Sequence, residues 1–201
     1  MIEKFSKWFS AWLIQNGGDP TQRNVYAYGV ECLTNELISD FLLLFFGLLL
    51  NKTIYIILWC ISFTVVRLFL GGYHASTHAR CILTGTATGV CSLYINPIWT
   101  TLYPWGFLVI TVFALTIAFS HAPIIHKNHP VSNKKRKKAK KKAIAAIILD
   151  NFTAVIVYPY HHEISSSIMT GLLTALLMAV LAIVIYNFKD QAECITAHKN
   201  L

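Results

Sequence analysis

The sequence predicts an all-α integral membrane protein with about six transmembrane helices and an N-terminal amphipathic helix at the membrane interface. Two observations predict this class. The 201 residues are 55% hydrophobic and only 13% charged, which is too apolar for a typical soluble domain of this length. Several apolar runs also approach or exceed the ~20 residues that cross a bilayer core. Since these segments have only each other to pack against, residues 1–201 are predicted to form one membrane-embedded domain.

Residues 1–16 form the predicted interfacial helix. Its lysines and serines lie elsewhere around the helix from its large apolar residues, as is typical of a helix in the plane of the membrane. The segment "NGGDP" (16–20) should end this helix. The apolar residues at helical spacing are Ile2, Phe5, Trp8, Phe9, Trp12 and Leu13.

Apolar runs and turn residues divide the rest of the chain into spans. The run "NK" at 51–52 is a turn between the first two spans, and the third span is rich in glycine and threonine, which permit close helix contact in a membrane. The predicted spans cover residues 33–50, 53–70, 82–99, 102–120, 143–159 and 166–188.

A single polybasic run accounts for the net charge of +8. Without its eight residues, the 17 Lys and Arg fall to nine, which equals the nine Asp and Glu. The run therefore predicts a local patch for anionic lipid rather than a nucleic-acid-binding surface. We place it in a cytoplasmic loop over residues 121–143, so that six spans put both termini on the cytoplasmic side of the cell membrane. Its basic residues are Lys134, Lys135, Arg136, Lys137, Lys138, Lys140, Lys141 and Lys142.

The stretch "RLFLGGYHASTHARC" (67–81) joins two predicted spans and concentrates reactive residue types. The pair Gly71 and Gly72 permits a sharp turn. His74 is a candidate base near neutral pH, and Cys81 is a candidate nucleophile. Arg67 lies one turn before the glycines, where its charge favours a thiolate or holds an oxyanion.

Helical geometry leaves the choice of base open. On a straight helix His74 and Cys81 share a face but lie about 10 Å apart along the axis, which is too far for a hydrogen bond. His78 is three residues from Cys81 and would be closer. His74 can serve as the base only if the segment bends, for which the two glycines are suitably placed.

Two other functions use the same residues. His74, His78 and Cys81 could ligate zinc from one helix face, but the fourth ligand would have to come from elsewhere, such as His121 or His126. The chain could instead be a peptide transporter or exporter, for which acids near or within the spans would line a polar path. These acids are Glu31, Glu36, Asp40 and Asp150.

The pattern Arg67-x3-Gly71-Gly72-Tyr73-His74-x6-Cys81 resembles that of the AgrB family of membrane cysteine endopeptidases in Gram-positive quorum sensing. Three further features are similar to the family: "YAYGVECLTNE" (26–36), "HAPIIHKNHPVSN" (121–133) and the six-span hydropathy over the whole length. The resemblance implies that Cys81 is the nucleophile and His74 the base. Arg67 and Gly72 also match positions of the family pattern, whereas His78 has no role in it.

The resemblance also implies the reaction and the partners. Such a protein cleaves off the C-terminal part of an AgrD-type propeptide through a thioester, which leads to a cyclic thiolactone autoinducing peptide. We expect anionic membrane lipids as a second partner, and the acidic propeptide tail as a second ligand of the polybasic run. The oligomeric state is not predicted, although a homodimer is one possibility. No cofactor, structural metal or nucleic acid is expected.

Overall fold

A computed structural model describes residues 2–73, 77–124 and 132–199, and these residues form helices joined by short connections. The helices in chain order are α1 (Ile2–Gln15), α2 (Arg23–Leu49), α3 (Thr53–Leu70), α4 (His78–Ile95), α5 (Ile98–Leu102), α6 (Trp105–His121), α7 (Asn133–Val157) and α8 (His162–Lys199), with a 3₁₀ turn at Pro20–Gln22. The predicted all-α class is confirmed.

Three of the described helices are long and apolar enough to cross a membrane: Pro20–Leu49, Thr53–Leu70 and His162–Tyr186. The apolar helix Trp105–His121 is shorter. The six predicted spans are thus confirmed only in part. Helix α4 has polar residues in its first turn and many small residues, and α7 begins with the polybasic run, so neither is uniformly apolar.

The N-terminal helix and the breaks predicted at 16–20 and 51–52 are confirmed. In α1, Ser6 and Ser10 are fully buried against α2, and the Ser6 hydroxyl lies 2.8 Å from Glu31 Oε1. The aromatic side chains Phe5, Trp8 and Trp12 point outward and are exposed. The aromatic face is therefore free to enter a lipid interface while the small polar face packs on the protein.

The polybasic run differs from its prediction, because the proposed loop over 121–143 is helical from Asn133 onward, which includes the whole run. Lysine, arginine and alanine all have high helix propensity, so the run extends the helix that follows it out of the apolar region. Helix α2 likewise begins ten residues before its predicted span, and α8 extends beyond both ends of 166–188.

The core lies between α3 and α8, the helix pair in most extensive contact. Trp59 and Phe63 of α3 stack with ring centroids 4.8 Å apart, and Met169, Leu172 and Leu176 of α8 are fully buried with them. Around this pair, α2 and α4 pack on one side, and α6 and α7 on the other. This arrangement brings the C-terminal end of α3 and the N-terminal ends of α2, α4 and α7 to one end of the bundle, which we call the motif end.

Candidate active site at the motif end

Gly71 ends α3 in a conformation that favours glycine. Its φ of 83° lies in the left-handed region, and a Cβ added there would overlap the carbonyl oxygen of Ile124. Residues 71 and 124 form a parallel bridge, in which the amide of Ile124 donates to the carbonyl of Leu70 at 2.9 Å. The chain leaving α3 is thus pressed against the segment that follows α6.

Tyr73 continues this attachment on the side of α8. Its amide donates to the carbonyl of Met178 at 3.1 Å. Gly72 is buried between the two attachments, but a Cβ added there would lie 3.7 Å from Arg67 Nε and Met178 Cβ, which is ordinary contact. The three residues that precede His74 are therefore held by α3, by α8 and by the segment after α6.

Arg67 joins α2 to this segment. Its guanidinium lies 3.6 Å from the carboxylate of Glu36 and donates to the carbonyl of Tyr73 at 3.1 Å. It also lies over the ring of Phe63, 5.2 Å from the centroid, and Thr64 donates to Glu36 at 3.3 Å. A mostly buried ion pair costs desolvation, which these additional contacts offset. Arg67 thereby fixes the carbonyl immediately before His74.

Cys81 lies in the first turn of α4, which Thr77 caps by accepting a hydrogen bond from the amide of Arg80 at 3.3 Å. The positive end of a helix is an electrostatically favourable place for a thiolate. Cys81 is partly buried and lines two adjoining cavities. One extends between α2, α3 and α4, the other toward Met178 and Leu181 of α8, and Arg67 also lines both.

Of the two candidate bases, His74 and His78, the structure describes only His78. His74 lies outside the described residues. His78 is the first residue of α4, and its Nδ1 lies 3.0 Å from Nδ2 of Asn35, which is 8% exposed. The sequence analysis missed Asn35. Its signal was the polar stripe Glu31, Asn35 and Ser39, in which residues four apart share one helix face.

The acidic residues and Cys32 differ in whether they line a cavity beside the Cys81 thiol. Glu36 is paired with Arg67, and Asp40 lines the cavity that Cys81 also lines. Cys32 lines a neighbouring groove with Glu36, Arg67 and Gly71. Asp150 accepts from Ser62 at 2.7 Å between α3 and α7, and it lines neither cavity beside Cys81.

The zinc alternative finds no support among the described residues, where His, Cys, Asp and Glu form no group of three that could hold a metal ion. Two of its proposed ligands, His74 and His126, lie outside the described residues. His121 ends α6 at the motif end, in the last turn of that helix.

The beginning of α7 also lies at the motif end. Lys140 donates to the carbonyl of Phe119 near the end of α6, and Lys142 lies 5.0 Å from the ring centroid of Phe69 near the end of α3. The C-terminal end of the polybasic run therefore lies beside the segment that carries the motif. The remaining basic residues of the run, Lys134, Lys135, Arg136, Lys137, Lys138 and Lys141, are exposed.

Comparison with known proteins finds one family model and two curated relatives of the same family. A family model described as "AgrB: Accessory gene regulator B" matches residues 2–186. An AgrB-like protein of Clostridium perfringens (strain SM101 / Type A) is 24% identical over 188 residues, which cover 90% of this chain and 88% of that protein. AgrB-like protein 2 of Clostridium perfringens (strain 13 / Type A) is 28% identical over 155 residues, 74% of this chain and 72% of that protein. No solved structure matches the chain.

Proposed function

Because the chain belongs to the AgrB family, whose members take part in propeptide processing for accessory gene regulator quorum sensing, we propose that it is a membrane cysteine endopeptidase with Cys81 as nucleophile and His74 as base. Its substrate is an AgrD-type propeptide, from which it removes the C-terminal part. The observation that carries the proposal is the position of Cys81. It is a partly buried thiol at the positive end of a helix, beside two cavities lined by Arg67.

The reaction proceeds by nucleophilic catalysis. His74 takes the proton of the Cys81 thiol, and the resulting thiolate attacks the scissile carbonyl. The proton then passes from His74 to the leaving amine as the C–N bond breaks. The N-terminal part of the propeptide stays on Cys81 as a thioester. A cysteine within the bound peptide then attacks this thioester, which forms the thiolactone and returns Cys81 as a thiol. A thioester suits this second step because it is more reactive than the oxygen ester that a serine would form.

Arg67 supports the catalytic pair through the backbone in this proposal. Its hydrogen bond to the carbonyl of Tyr73 fixes the residue before His74, and Gly71 permits the turn that places this segment. A His74–Cys81 pair needs a bend in the segment between them. The interruption between α3, which ends at Leu70, and α4, which begins at His78, supports such a bend.

We also propose the topology in which six helices (α2, α3, α4, α6, α7 and α8) span the cell membrane and the motif end is cytoplasmic. The common location of the motif and the polybasic run supports it, since basic residues concentrate on the cytoplasmic side. Single cysteines at positions 75, 133 and 162 in an inactive, otherwise cysteine-free chain test it. An impermeant thiol reagent outside intact cells should label only position 162, and labelling at 75 would contradict the topology.

Cleavage itself is tested with the purified full-length chain in detergent micelles and a synthetic AgrD-type propeptide that has one cysteine and an acidic tail. The wild-type chain should release the propeptide tail and form an adduct that hydroxylamine removes, as expected of a thioester. Cys81→Ala should abolish both at unchanged expression, whereas Cys60→Ala and Cys91→Ala should retain both. Tail release by Cys81→Ala at a rate comparable to wild type would show that the proposed function is wrong.

A further inference from the structure

Helices α2 and α4 run in parallel with a fixed register. A Cβ added to Gly85 would meet Ser39 Oγ at 3.3 Å, and one added to Gly89 would meet the side chain of Leu43. Both contacts join residues whose numbers differ by 46. One turn nearer the motif end, the same register sets Asn35 opposite Cys81. The two residues do line the same cavity between α2, α3 and α4.

Asn35 carries a buried polar atom without a partner. Its Nδ2 is engaged by His78 Nδ1 at 3.0 Å, but its Oδ1 has no hydrogen-bond partner in the described part of the chain. An unpaired polar atom in such a place costs about 1–3 kcal/mol, so its retention needs a reason. The reason offered by the location is a ligand group that enters the cavity beside the thiol.

We propose that the side-chain amide of Asn35 is the hydrogen-bond donor to the oxyanion that forms when Cys81 attacks the scissile carbonyl, and that His78 orients this amide. The inference rests on the proposed function and adds to it a catalytic residue on α2 and a positioning residue on α4. It gives His78 a role other than that of the base.

His78 sets which end of the amide faces the cavity. With its proton on Nε2, the ring accepts from the amino group of Asn35 and leaves Oδ1 toward the cavity. With a proton on Nδ1, the ring donates to Oδ1, and the amide presents its amino group to the cavity instead. The second arrangement is the catalytic one, because only an N–H can stabilise a negative oxygen.

The electron balance of the step shows what the amide does. As the bond between Cys81 Sγ and the carbonyl carbon forms, one pair of electrons of the C=O bond moves to oxygen, which accepts a hydrogen bond from Asn35. When the carbonyl re-forms, the C–N bond breaks, and the leaving nitrogen takes its electron pair and the proton that the base removed from the thiol. Asn35 therefore gives up no proton and stabilises only the intermediate.

Two other donors at the cavity fit this role less well. Trp59 Nε1 also lacks a partner, but the Trp59 ring packs against Gly89, which lies two turns, or about 12 Å, farther along α4 than Cys81. The guanidinium of Arg67 is engaged by Glu36 and by the carbonyl of Tyr73. Asn35 is the donor that the helix register sets level with the thiol.

The test compares two reactions of Cys81 in a full-length chain whose other four cysteines are replaced by serine. The first is single-turnover cleavage of the propeptide, which passes through an oxyanion. The second is alkylation by iodoacetamide, in which the thiolate displaces iodide and no oxyanion forms. Asn35→Asp keeps the size of the side chain and its bond to His78 but offers no amide donor, and Asn35→Ala removes the group. Thr34→Ala is the matched control, since the Thr34 hydroxyl bonds only within its own helix.

Both Asn35 variants should slow cleavage by about 100-fold or more, as loss of an oxyanion donor does elsewhere. Asn35→Ala should change the alkylation rate by less than about threefold, whereas the carboxylate of Asn35→Asp should also slow alkylation because it disfavours the thiolate. Thr34→Ala should leave both rates near those of the parent chain. His78→Ala should slow cleavage less than the Asn35 variants do, and His78→Asn should restore part of the rate because its amide replaces the donor at Nδ1.

Two results would overturn the inference without contradicting the proposed function. Cleavage by Asn35→Asp within threefold of the parent rate would show that no donor is needed there. An equal loss of cleavage and alkylation in both Asn35 variants would show that Asn35 only supports the fold around Cys81. A parent chain that is alkylated at Cys81 but cleaves no propeptide would instead contradict the proposed function itself, and this inference with it.

Discussion

The two ends of the helical bundle use buried polar side chains differently. At the end opposite the motif, Asn96 donates to Ser167 and accepts from Thr170 at 2.8 Å each, and Trp99 Nε1 donates to Thr170 at 2.8 Å. At the motif end, Asn35 uses one end of its amide and leaves the other beside a cavity. The amide of Asn96 thus joins the end of α4 to α8, whereas the amide of Asn35 borders the cavity that Cys81 lines. Polar groups that bond one another stabilise helix packing, whereas polar groups that face a cavity are available to a substrate.

The largest expected effect comes from the turn after α3. Gly71→Ala adds a Cβ at positive φ against the Ile124 carbonyl, and the backbone alone should cost about 1–3 kcal/mol. We expect a lower thermal midpoint in detergent and loss of cleavage, because the segment before His74 is displaced. Gly72→Ala is the matched variant, since its added Cβ makes only ordinary contacts. Its midpoint should stay near that of wild type, and equal losses in the two variants would contradict the asymmetry described here.

An intermediate effect is expected at the opposite end. Asn96→Ala leaves Ser167 and Thr170 without their amide partner, which should cost about 1–3 kcal/mol. Unfolding in detergent should therefore occur at lower temperature, while the cleavage rate below that temperature stays unchanged. Thr101→Ala, whose hydroxyl bonds only within its exposed turn, serves as the control. A cleavage defect in Asn96→Ala without a lower midpoint would show that this end also takes part in the chemistry.

The smallest effect is expected from the exposed part of α7. Replacement of Lys134, Lys135, Lys137 and Lys138 by glutamine leaves the contacts of Lys140 and Lys142 intact. Exposed charge pairs contribute at most ~0.2–1 kcal/mol each and many contribute nothing measurable, so we expect the KM for the acidic-tailed propeptide to rise about three- to tenfold in micelles without anionic lipid. Added salt should reduce the difference. An equal change for a propeptide with a neutralised tail would assign these lysines to other roles, such as lipid attraction.

Hydropathy and turn residues predicted the all-helical class, the amphipathic α1 and the breaks at 16–20 and 51–52, since these features depend on nearby residues alone. They failed at the start of α7, because a helix that extends beyond the apolar region carries no hydropathy signal. Asn35 was also missed. Its contact with His78 and its place opposite Cys81 depend on the register between α2 and α4, which no local pattern contains.

Helix α8 links the two ends of the bundle mechanically. Glu163 and Ser167 in its first turns contact Lys52 and Asn96 at one end, and the carbonyl of Met178 holds Tyr73 at the other. The helix from Glu163 to Met178 is continuous over about 22 Å. A continuous helix is stiff along its axis. A shift of α8 by about one ångström at the far end would therefore displace Tyr73, which the Met178 carbonyl holds, by a similar amount. The position of Tyr73 is thereby set partly from the opposite side of the bundle.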